Sequence, residues 1–566
     1  MKNLVSSLVN LWVRGRWIML LMVLAGPARA QFPATASTTE FICNAPGDQL
    51  GVQAFADGAG GSFVAWIDKR GGRGTGPGTA LYFQHVNVAG VPLLAANGVR
   101  LFQTRGREIW GMRAVAWRGG VLVAWVQGRF GVGGDTLRCQ YYNAVGLAQW
   151  AVPTVVSAPS PNILGAATVG LNVLPTDSGA TITHALGVYG GGTRFSFNRV
   201  SFAGVLRWPL NAQQVNVVPV GIYASDYYHT LGDGGNGFYL VASSGGLGAP
   251  IYAQHYTLQG ASWGSYTVLS AGGNTGRGSD WQLLRDPANS LYVAWSSSNA
   301  HPLVSKVLPS GALAWPGDGT VNLCAFASQQ LSPDALWHDN ALWMIWTDNR
   351  PSPTGFGEQY LQKINAAGTL AFNPNGVLVN SLAAGYPSPR LAASNNGAVM
   401  AFFLTAYGAG FRAQKVLPTA ALGFPASGVV LHDVVPDQPA GYDYVPVSQP
   451  NGSVQVYWAS AGGAPTGQDI CAGRMQNSGI LLGTERAAGA LGFEVFPNPA
   501  AEELQLRFPV AARPTSLRLY DGQGRLVRAF AEATARALSL RGLPAGLYVL
   551  RARLNGQEVS RRVAVE

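Results

Sequence analysis

The feature that most restricts the fold of this chain is an internal repeat. A short turn rich in Gly, Asn or Ser precedes an apolar strand, and the unit recurs at intervals of roughly 50–60 residues. The eight turns begin at Gly60, Gly119, Ser178, Asn236, Asn289, Asn340, Asn396 and Asn451. Such turns accept the positive φ that hairpins need, and the apolar runs are typical of strands buried on both faces. The repeat predicts an all-β fold.

A second turn in each repeat indicates how many strands each sheet contains. It carries a small residue, at Gly90, Gly146, Gly204, Gly260, Gly311, Gly368, Ala421 and Gly479. Two hairpin turns per repeat give about four strands, and radially arranged four-stranded sheets form a β-propeller. The sequence therefore predicts an eight-bladed β-propeller, with a seven-bladed ring and one aberrant repeat as the alternative.

The start of the repeat region is predicted to complete its last sheet. Residues Phe41–Ala45 resemble the strand that ends other repeats, whereas the last repeat lacks this strand. We expect the N-terminal strand to fill that place, which would remove an open sheet edge. The pairing would bring Cys43 near Cys471 and would allow a disulfide between them.

The chain changes character at Phe493. Lysine disappears, arginine becomes frequent, and short strands alternate with Gly and Pro turns, a pattern that predicts a small β-sandwich. Three segments stand out: FPNPA at Phe496–Ala500, LYDGQGRLV at Leu519–Val527, and LPAGLYVL at Leu543–Leu550. A short basic and apolar ending follows them.

These segments, in this order, resemble the type A C-terminal sorting domain of the type IX secretion system of Bacteroidetes. The resemblance places the sorting motif at Pro497, Asn498, Pro499, Gly524, Gly546 and Tyr548. It implies that the type IX machinery is a partner and carries the protein through the outer membrane. It also implies removal of the module, with release or attachment at the cell surface, and says nothing about the preceding domain.

The first thirty residues have the parts of a secretory signal peptide. Arg14 and Arg16 precede the apolar run Trp17–Ala25, and Ala28–Ala30 forms a small-residue cleavage site. The run is shorter than the roughly 20 residues that span a bilayer. We therefore expect a signal peptide at 1–30, a propeller at 31–486 and a sorting domain at 487–566. The mature protein would have no transmembrane segment and, exported via the periplasm, would be extracellular or on the outer-membrane surface.

Charge and cysteine content argue against several classes of function. The net charge is +10, but Lys and Arg are scattered, whereas a nucleic-acid binder usually concentrates them on one face. The four cysteines lack the spacing of a zinc site. From these two observations we expect no nucleic-acid partner and no metal. No catalytic motif is present either, so we expect no cofactor and no catalytic residue.

A short motif, W-x-D-x-R, occurs twice, at Trp66–Arg70 and Trp346–Arg350. Its aspartate could serve as an acid or a metal ligand. Recurrence at one position of a repeat favours a structural role instead, with the Asp capping a turn and the Arg pairing with a neighbour.

The loops that lead into the first strand of each repeat are rich in aromatic and charged side chains. The set comprises Trp110, Asp226, Tyr227, Asp280, Trp281, Asp334, Arg390, Tyr442 and Asp443. Aromatic platforms beside carboxylates suit the binding of sugars, although the same aromatics could pack between blades. We expect an exported, non-catalytic protein that recognises glycan or protein at this face. The alternative is a secreted polysaccharide hydrolase or lyase that uses carboxylates at the propeller axis.

Overall fold

The protein is described from a computed structural model. The described residues are 39–70, 78–104, 106–128, 134–160, 163–188, 193–211, 213–215, 227–243, 250–270, 281–297, 301–350, 357–380, 382, 388–405, 410–433, 439–460, 467–479, 494–508, 514–521, 525–530, 537–554 and 557–566. The chain divides into two compact units, unit 1 (Met1–Thr484) and unit 2 (Glu485–Glu566). The described residues form strands and no helix, so the predicted all-β class is confirmed. These ranges accordingly hold no helix able to cross a membrane.

The strands of unit 1 assemble into eight antiparallel sheets, numbered here in chain order. The first strand of the chain is β1 (Glu40–Cys43). Sheet 1 contains β2 (Gln49–Ala56), β3 (Ser62–Asp68), β4 (Ala80–Val86) and β5 (Val99–Gln103). Sheet 2 contains β6 (Glu108–Trp117), β7 (Gly120–Gly128), β8 (Thr136–Asn143) and β9 (Thr154–Ser157). Sheet 3 contains β10 (Ile163–Thr176), β11 (Gly179–Val188), β12 (Thr193–Val200) and β13 (Gln214–Val215). Sheet 4 contains β14 (Tyr227–Gly232), β15 (Phe238–Ser243), β16 (Ile251–Thr257), β17 (Gly260–Ala261) and β18 (Thr267–Ser270).

The remaining four sheets repeat this plan. Sheet 5 contains β19 (Gln282–Arg285), β20 (Leu291–Ser296), β21 (Pro302–Val307) and β22 (Thr320–Asn322). Sheet 6 contains β23 (Gln330–His338), β24 (Ala341–Asp348), β25 (Glu358–Asn365) and β26 (Val377–Asn380). Sheet 7 contains β27 (Arg390–Ala393), β28 (Val399–Leu404), β29 (Phe411–Val416) and β30 (Val429–His432). Sheet 8 contains β31 (Pro439–Ser448), β32 (Val454–Ser460) and β33 (Ile470–Met475), and its fourth strand is β1. The N-terminal strand therefore completes the last sheet, as the sequence predicts.

The second strand of each sheet is buried on both faces because the sheets pack against one another. Along β3, Val64 and Trp66 pack towards sheet 8, whereas Phe63 and Ala65 pack towards sheet 2. The same alternation produces an apolar cluster between every pair of consecutive sheets, and between sheet 8 and sheet 1. Period-two alternation within an apolar run therefore supplies two interfaces from one strand.

The W-x-D-x-R motif forms a buried network at the border of sheets 8 and 1. The Asp68 carboxylate is fully buried and accepts hydrogen bonds from Trp66 Nε1 (3.0 Å) and the Arg70 backbone N (2.9 Å). Arg70 Nη2 lies 2.6 Å from Asp68 Oδ2 and 3.2 Å from Cys43 Sγ, and the guanidinium stacks 3.8 Å from the Tyr82 ring centre. The aspartate thus pairs with its own turn and neighbour, which is the structural interpretation.

The second copy reproduces this network between sheets 5 and 6. Arg350 Nη2 lies 2.5 Å from Asp348 Oδ2 and 3.1 Å from Cys324 Sγ. Trp346 Nε1 donates to Asp348 Oδ2 at 3.2 Å. The same partners and similar distances recur at equivalent positions. The W-x-D-x-R motif is therefore a structural contact that fastens one sheet to the preceding sheet.

The disulfide that the sequence allowed between Cys43 and Cys471 is not formed, since all four cysteines are free and buried. The two strands do pair, but Cys43 lies opposite Ile470 and Cys471 lies opposite Phe41. Cross-strand partners share a face and successive residues alternate, so the two thiols point to opposite faces of the sheet. Burial raises the pKa of Cys43 to about 11, which favours the protonated thiol.

Unit 2 contains a three-stranded and a four-stranded sheet around its own apolar core. The strands are β34 (Glu494–Phe496), β35 (Glu503–Arg507), β36 (Pro514–Tyr520), β37 (Leu526–Phe530), β38 (Ala537–Ser539), β39 (Gly546–Leu554) and β40 (Gln557–Val565). The PNPA segment holds the end of the chain: Asn498 Oδ1 accepts the Ala564 N–H at 2.8 Å, and Glu566 N donates to Ala500 O at 3.0 Å. Tyr548 Oη donates to Pro544 O at 2.8 Å. Gly524 lies outside the described residues.

Candidate functional site

The first strands of the eight sheets carry a set of residues at one equivalent register, which we call the first-strand belt. In sheet 1, Gln53 pairs with Ala65, the residue before the buried Trp66. In sheet 2, Arg113 pairs with Ala124, the residue before Trp125. In each other sheet, the equivalent residue is the one that pairs with the second-strand residue corresponding to Ala65. The first-strand belt therefore comprises Gln53, Arg113, Asn172, His229, Gln282, Asp334, Arg390 and Val445.

Several belt residues connect their own sheet to the first strand of the next one. Gln53 Oε1 accepts the Ala114 N–H at 3.3 Å, and Arg113 Nε donates to Leu171 O at 3.1 Å. Asn172 Nδ2 donates to Thr230 O at 2.9 Å. Asp334 Oδ2 accepts the Leu391 N–H at 2.7 Å. These bonds have a structural role because each joins a side chain of one sheet to the backbone of the next sheet.

Two adjoining cavities lie against the belt. The first, about 500 Å³, is lined by residues of β2, β6, β27 and β31. The second, about 390 Å³, is lined by residues of β2, β6, β10 and β14. Gln53, Arg113, Ala114 and Val115 border both. Volumes of this size are typical of small-ligand sites, which range over about 300–1,000 Å³.

The polar lining of the cavities is cationic and neutral. Arg113 and Arg390 border the first cavity, and Arg113 also borders the second together with Asn172 and His229. Burial lowers the pKa of the Arg113 guanidinium, which nonetheless stays charged at any physiological pH. The described lining residues include no Asp or Glu. The positive electrostatic field of these arginines favours an anionic ligand.

Asp334 stands beside the cavities without lining them. Burial raises the pKa of its carboxyl, and the Arg390 charge and the Leu391 N–H partly offset that effect. No direct ion pair joins Asp334 to Arg390 within the described part of the chain; the carboxyl bonds to backbone instead. Asp334 therefore compensates Arg390 only from a distance.

Tyr444 forms part of the wall of the first cavity. Its side chain is 2 % exposed, and its hydroxyl lies 3.0 Å from Phe402 O and contacts Ser388 O. Burial raises the pKa of the Tyr444 hydroxyl well above its usual range. The Arg390 guanidinium lies 6.0 Å from the ring centre, the outer limit of a cation–π contact. Tyr444 is thus a fixed neutral wall.

The structure separates the predicted site residues into groups. Asp334 and Arg390 come together as belt neighbours. Trp281 is 3 % exposed in the core between sheets 4 and 5, and Trp110 packs against the core between sheets 2 and 3, the packing role that the sequence left open. Asp226 and Asp280 lie outside the described residues. The backbones of Tyr227, Tyr442 and Asp443 belong to β14 and β31, and their side chains lie outside the described ones.

Sequence reasoning missed the belt residues Gln53, Arg113, Asn172 and His229. The aromatic and charged residues that predict ligand contacts lie mostly in the loops before the first strands, whereas these four residues lie within the strands. A usable signal was present: each is a polar residue at one repeat position in an otherwise apolar segment. Within the described residues, no group of three or more His, Cys, Asp and Glu side chains could hold a metal ion.

Comparison with known proteins identifies unit 2. Residues 494–566 match the family model of the secretion system C-terminal sorting domain, which confirms the predicted resemblance. The match implies export to the cell surface or the extracellular space and an interaction with the secretion machinery. No curated protein matches the chain.

Solved structures share only a remote likeness with the chain. A prolyl endopeptidase structure has 14% identity and a TM-score of 0.41, and the match covers 73% of this chain and 54% of that one. A fungal alcohol oxidase of the AA5 family has 10% identity and a TM-score of 0.38, with 81% and 99% covered. A polysaccharide lyase has 11% identity and a TM-score of 0.37, with 63% and 88% covered. The chain spans little more than half of the endopeptidase, and none of these scores carries an argument about function.

Proposed function

We propose that this protein is an exported, non-catalytic binding protein whose unit 1 is a closed eight-bladed β-propeller that takes a glycan ligand in its axial cavities. The observation that carries the proposal is the pair of adjoining cavities bordered by the first strands of six sheets. In a closed propeller the first strands surround the axis, so these cavities would lie at one central position. Ligand sites of propellers commonly lie there.

Closure of the ring is supported by polar as well as apolar contacts between sheets 8 and 1. Ser62 Oγ donates to Gln455 Oε1 at 2.5 Å, and Gln455 Nε2 donates to Asn87 O at 3.1 Å. Arg474 Nη1 donates to Val88 O at 2.5 Å. Together with the strand β1 in sheet 8, these bonds leave the first and last sheets without an unpacked face.

The residues that line the cavities have polar groups available to a ligand, which supports a binding role for the cavities. The Gln53 amide accepts one backbone N–H, and its own NH₂ group has no partner among the described residues. Arg113 is exposed to the cavity space although it lies within the body of unit 1. Phe55, which is only partly buried, supplies aromatic surface beside these polar groups. Sugars bind through this combination of ring stacking and hydrogen bonds to hydroxyls.

Native affinity gels that contain a panel of neutral and acidic polysaccharides test the proposal with the mature protein. Retardation without loss of polysaccharide is the expected result. Retardation by none of the panel would refute glycan binding and would direct the search to protein partners. Clearing of the polysaccharide around the band would instead support the alternative, a secreted hydrolase or lyase, and would direct attention to Asp226, Asp280 and Asp334.

A further inference from the structure

Two arginines border the axial cavities, and no described side chain forms an ion pair with either of them. Arg113 Nε donates to Leu171 O at 3.1 Å, and its two terminal nitrogens have no hydrogen-bond partner among the described residues. The pKa of Arg113 is lowered by burial with no acidic group opposing the shift. The Arg113 side chain is exposed and borders both cavities, so its terminal N–H donors are available to an anionic ligand.

A second guanidinium borders the same space. Arg390 makes a long contact from Nη1 to Pro389 O at 3.4 Å and lies near the Tyr444 ring. The carboxylate of Asp334 is occupied by the Leu391 N–H at 2.7 Å. Among the described residues, Arg113 and Arg390 therefore each have guanidinium N–H groups that contact no carboxylate and no close carbonyl oxygen. Both side chains line the first cavity.

We infer that Arg113 and Arg390 bind the carboxylate of a uronic-acid residue in an acidic polysaccharide, with Gln53 donating to a neighbouring ligand oxygen. The inference rests on the proposed glycan function and specifies its ligand class. The planar guanidinium presents paired N–H donors that match the two oxygens of a carboxylate. A sulfate ester offers the same acceptor chemistry, so the two anions are separated by experiment.

The surroundings of the two arginines favour a sugar over an acidic peptide. The amide of Gln53 and the aromatic surface of Phe55 lie in the same cavity as the guanidinium groups. A hydroxylated ring uses all three kinds of contact, whereas an acidic peptide needs only the charge. The adjoining second cavity, with Asn172 and His229 in its wall, provides space for the next sugar residue of a chain.

Isothermal titration calorimetry on the mature full-length protein tests the inference. The probes are oligomers of galacturonate, glucuronate and mannuronate, the methyl esters of the same oligomers, a sulfated neutral oligosaccharide and polyglutamate. We expect a uronate oligomer to bind and its methyl ester to bind about tenfold or more weakly, because the ester loses the charge-assisted hydrogen bonds. Arg113→Gln and Arg390→Gln should each weaken binding by about tenfold or more.

Arg100→Gln is the matched control, since Arg100 is exposed, has Gln103 as its hydrogen-bond partner among the described residues and lies outside both cavities. It should leave affinity unchanged. Urea unfolding of each variant verifies the fold. Arg113→Lys keeps the charge but loses the paired donors, so its affinity for the uronate oligomer should lie between those of the wild type and Arg113→Gln.

The outcomes are distinguishable. Binding of neutral oligosaccharides with equal or greater affinity, or uronate binding that both Gln variants leave unchanged, would overturn the inference while the glycan function stands. Preference for the sulfated probe or for polyglutamate would replace uronate with that ligand class and overturn the inference. If no oligosaccharide binds, the inference and the proposed function both fail.

Discussion

We expect mild acid to destabilise unit 1 through His184 in β11. This residue takes the position that Trp66, Trp125, Trp295 and Trp346 hold in other sheets, on the face that packs against the preceding sheet. It is 1 % exposed, and neither ring nitrogen has a hydrogen-bond partner among the described residues. A charged imidazole cannot be stabilised there, so burial lowers the pKa of His184 from 6.5 to about 3.

The size and the sign of the effect follow from that shift. The unfolded chain binds a proton at His184 below about pH 6.5, whereas the folded chain stays neutral down to about pH 3. The contribution to stability is therefore complete above pH 6.5 and falls as the pH is lowered. At about 1.4 kcal/mol per pH unit, His184 should cost roughly 2 kcal/mol on going from pH 7 to pH 5.

Urea unfolding of the wild type and of His184→Phe, each at pH 7 and pH 5, isolates this contribution. Phenylalanine is chosen because Phe403 holds the equivalent position in sheet 7. The 16 tryptophans all precede unit 2, so tryptophan fluorescence reports on unit 1 alone. The variant should gain about 2 kcal/mol over the wild type between the two pH values. An equal loss of stability in both proteins would refute the account of His184 as a neutral, unpartnered group.

Three further predictions concern fixed contacts of the two units. Arg70→Ala should lower the free energy of unfolding by about 3 kcal/mol in urea, because it leaves the buried Asp68 carboxylate without its cation; a change below about 1 kcal/mol would contradict the fastening role. Gly98→Ala should cost about 1–3 kcal/mol more than Gly119→Ala. Both glycines have positive φ (76° and 73°), but only at Gly98 would a Cβ meet the buried tryptophan ring, at 2.5 Å. Similar losses would show that the backbone conformation alone sets the cost. Asn498→Ala should accelerate hydrogen exchange of the Ala564 amide in β40, because it removes the acceptor of that N–H. An unchanged exchange rate would show that the PNPA segment does not stabilise the chain end.

Much of the fold could be predicted because its determinants are local. The Gly and Asn turns and the apolar runs after them, such as Phe63–Trp66, report the second strand of each sheet directly. The strand β1 could be placed in sheet 8 because the last repeat visibly lacks a strand. The offset between Cys43 and Cys471 could not be predicted, since it depends on a shift of register between Phe41 and Cys43.

The candidate site was predicted only in part because its residues are brought together by the packing of neighbouring sheets. Asp334 and Arg390 are 56 positions apart in sequence numbering and meet only because they occupy equivalent registers in neighbouring sheets. Trp281 resembled a binding platform in the sequence, yet the packing of sheet 4 on sheet 5 buries it. Arg113 gave no loop signal, and only its pairing with Ala124 places it in the belt.

The most direct test of the account is whether filling the first cavity abolishes ligand retention. Ala116 is exposed, lines this cavity and makes no side-chain polar contact, so Ala116→Trp obstructs the space without removing a fastening between sheets. Ala59→Trp, on the exposed turn before β3, is the matched control. In a native gel that contains the retarding polysaccharide, Ala116→Trp should migrate as in a gel without polysaccharide, and Ala59→Trp should be retarded like the wild type. Undiminished retardation of a folded Ala116→Trp would contradict an axial binding site.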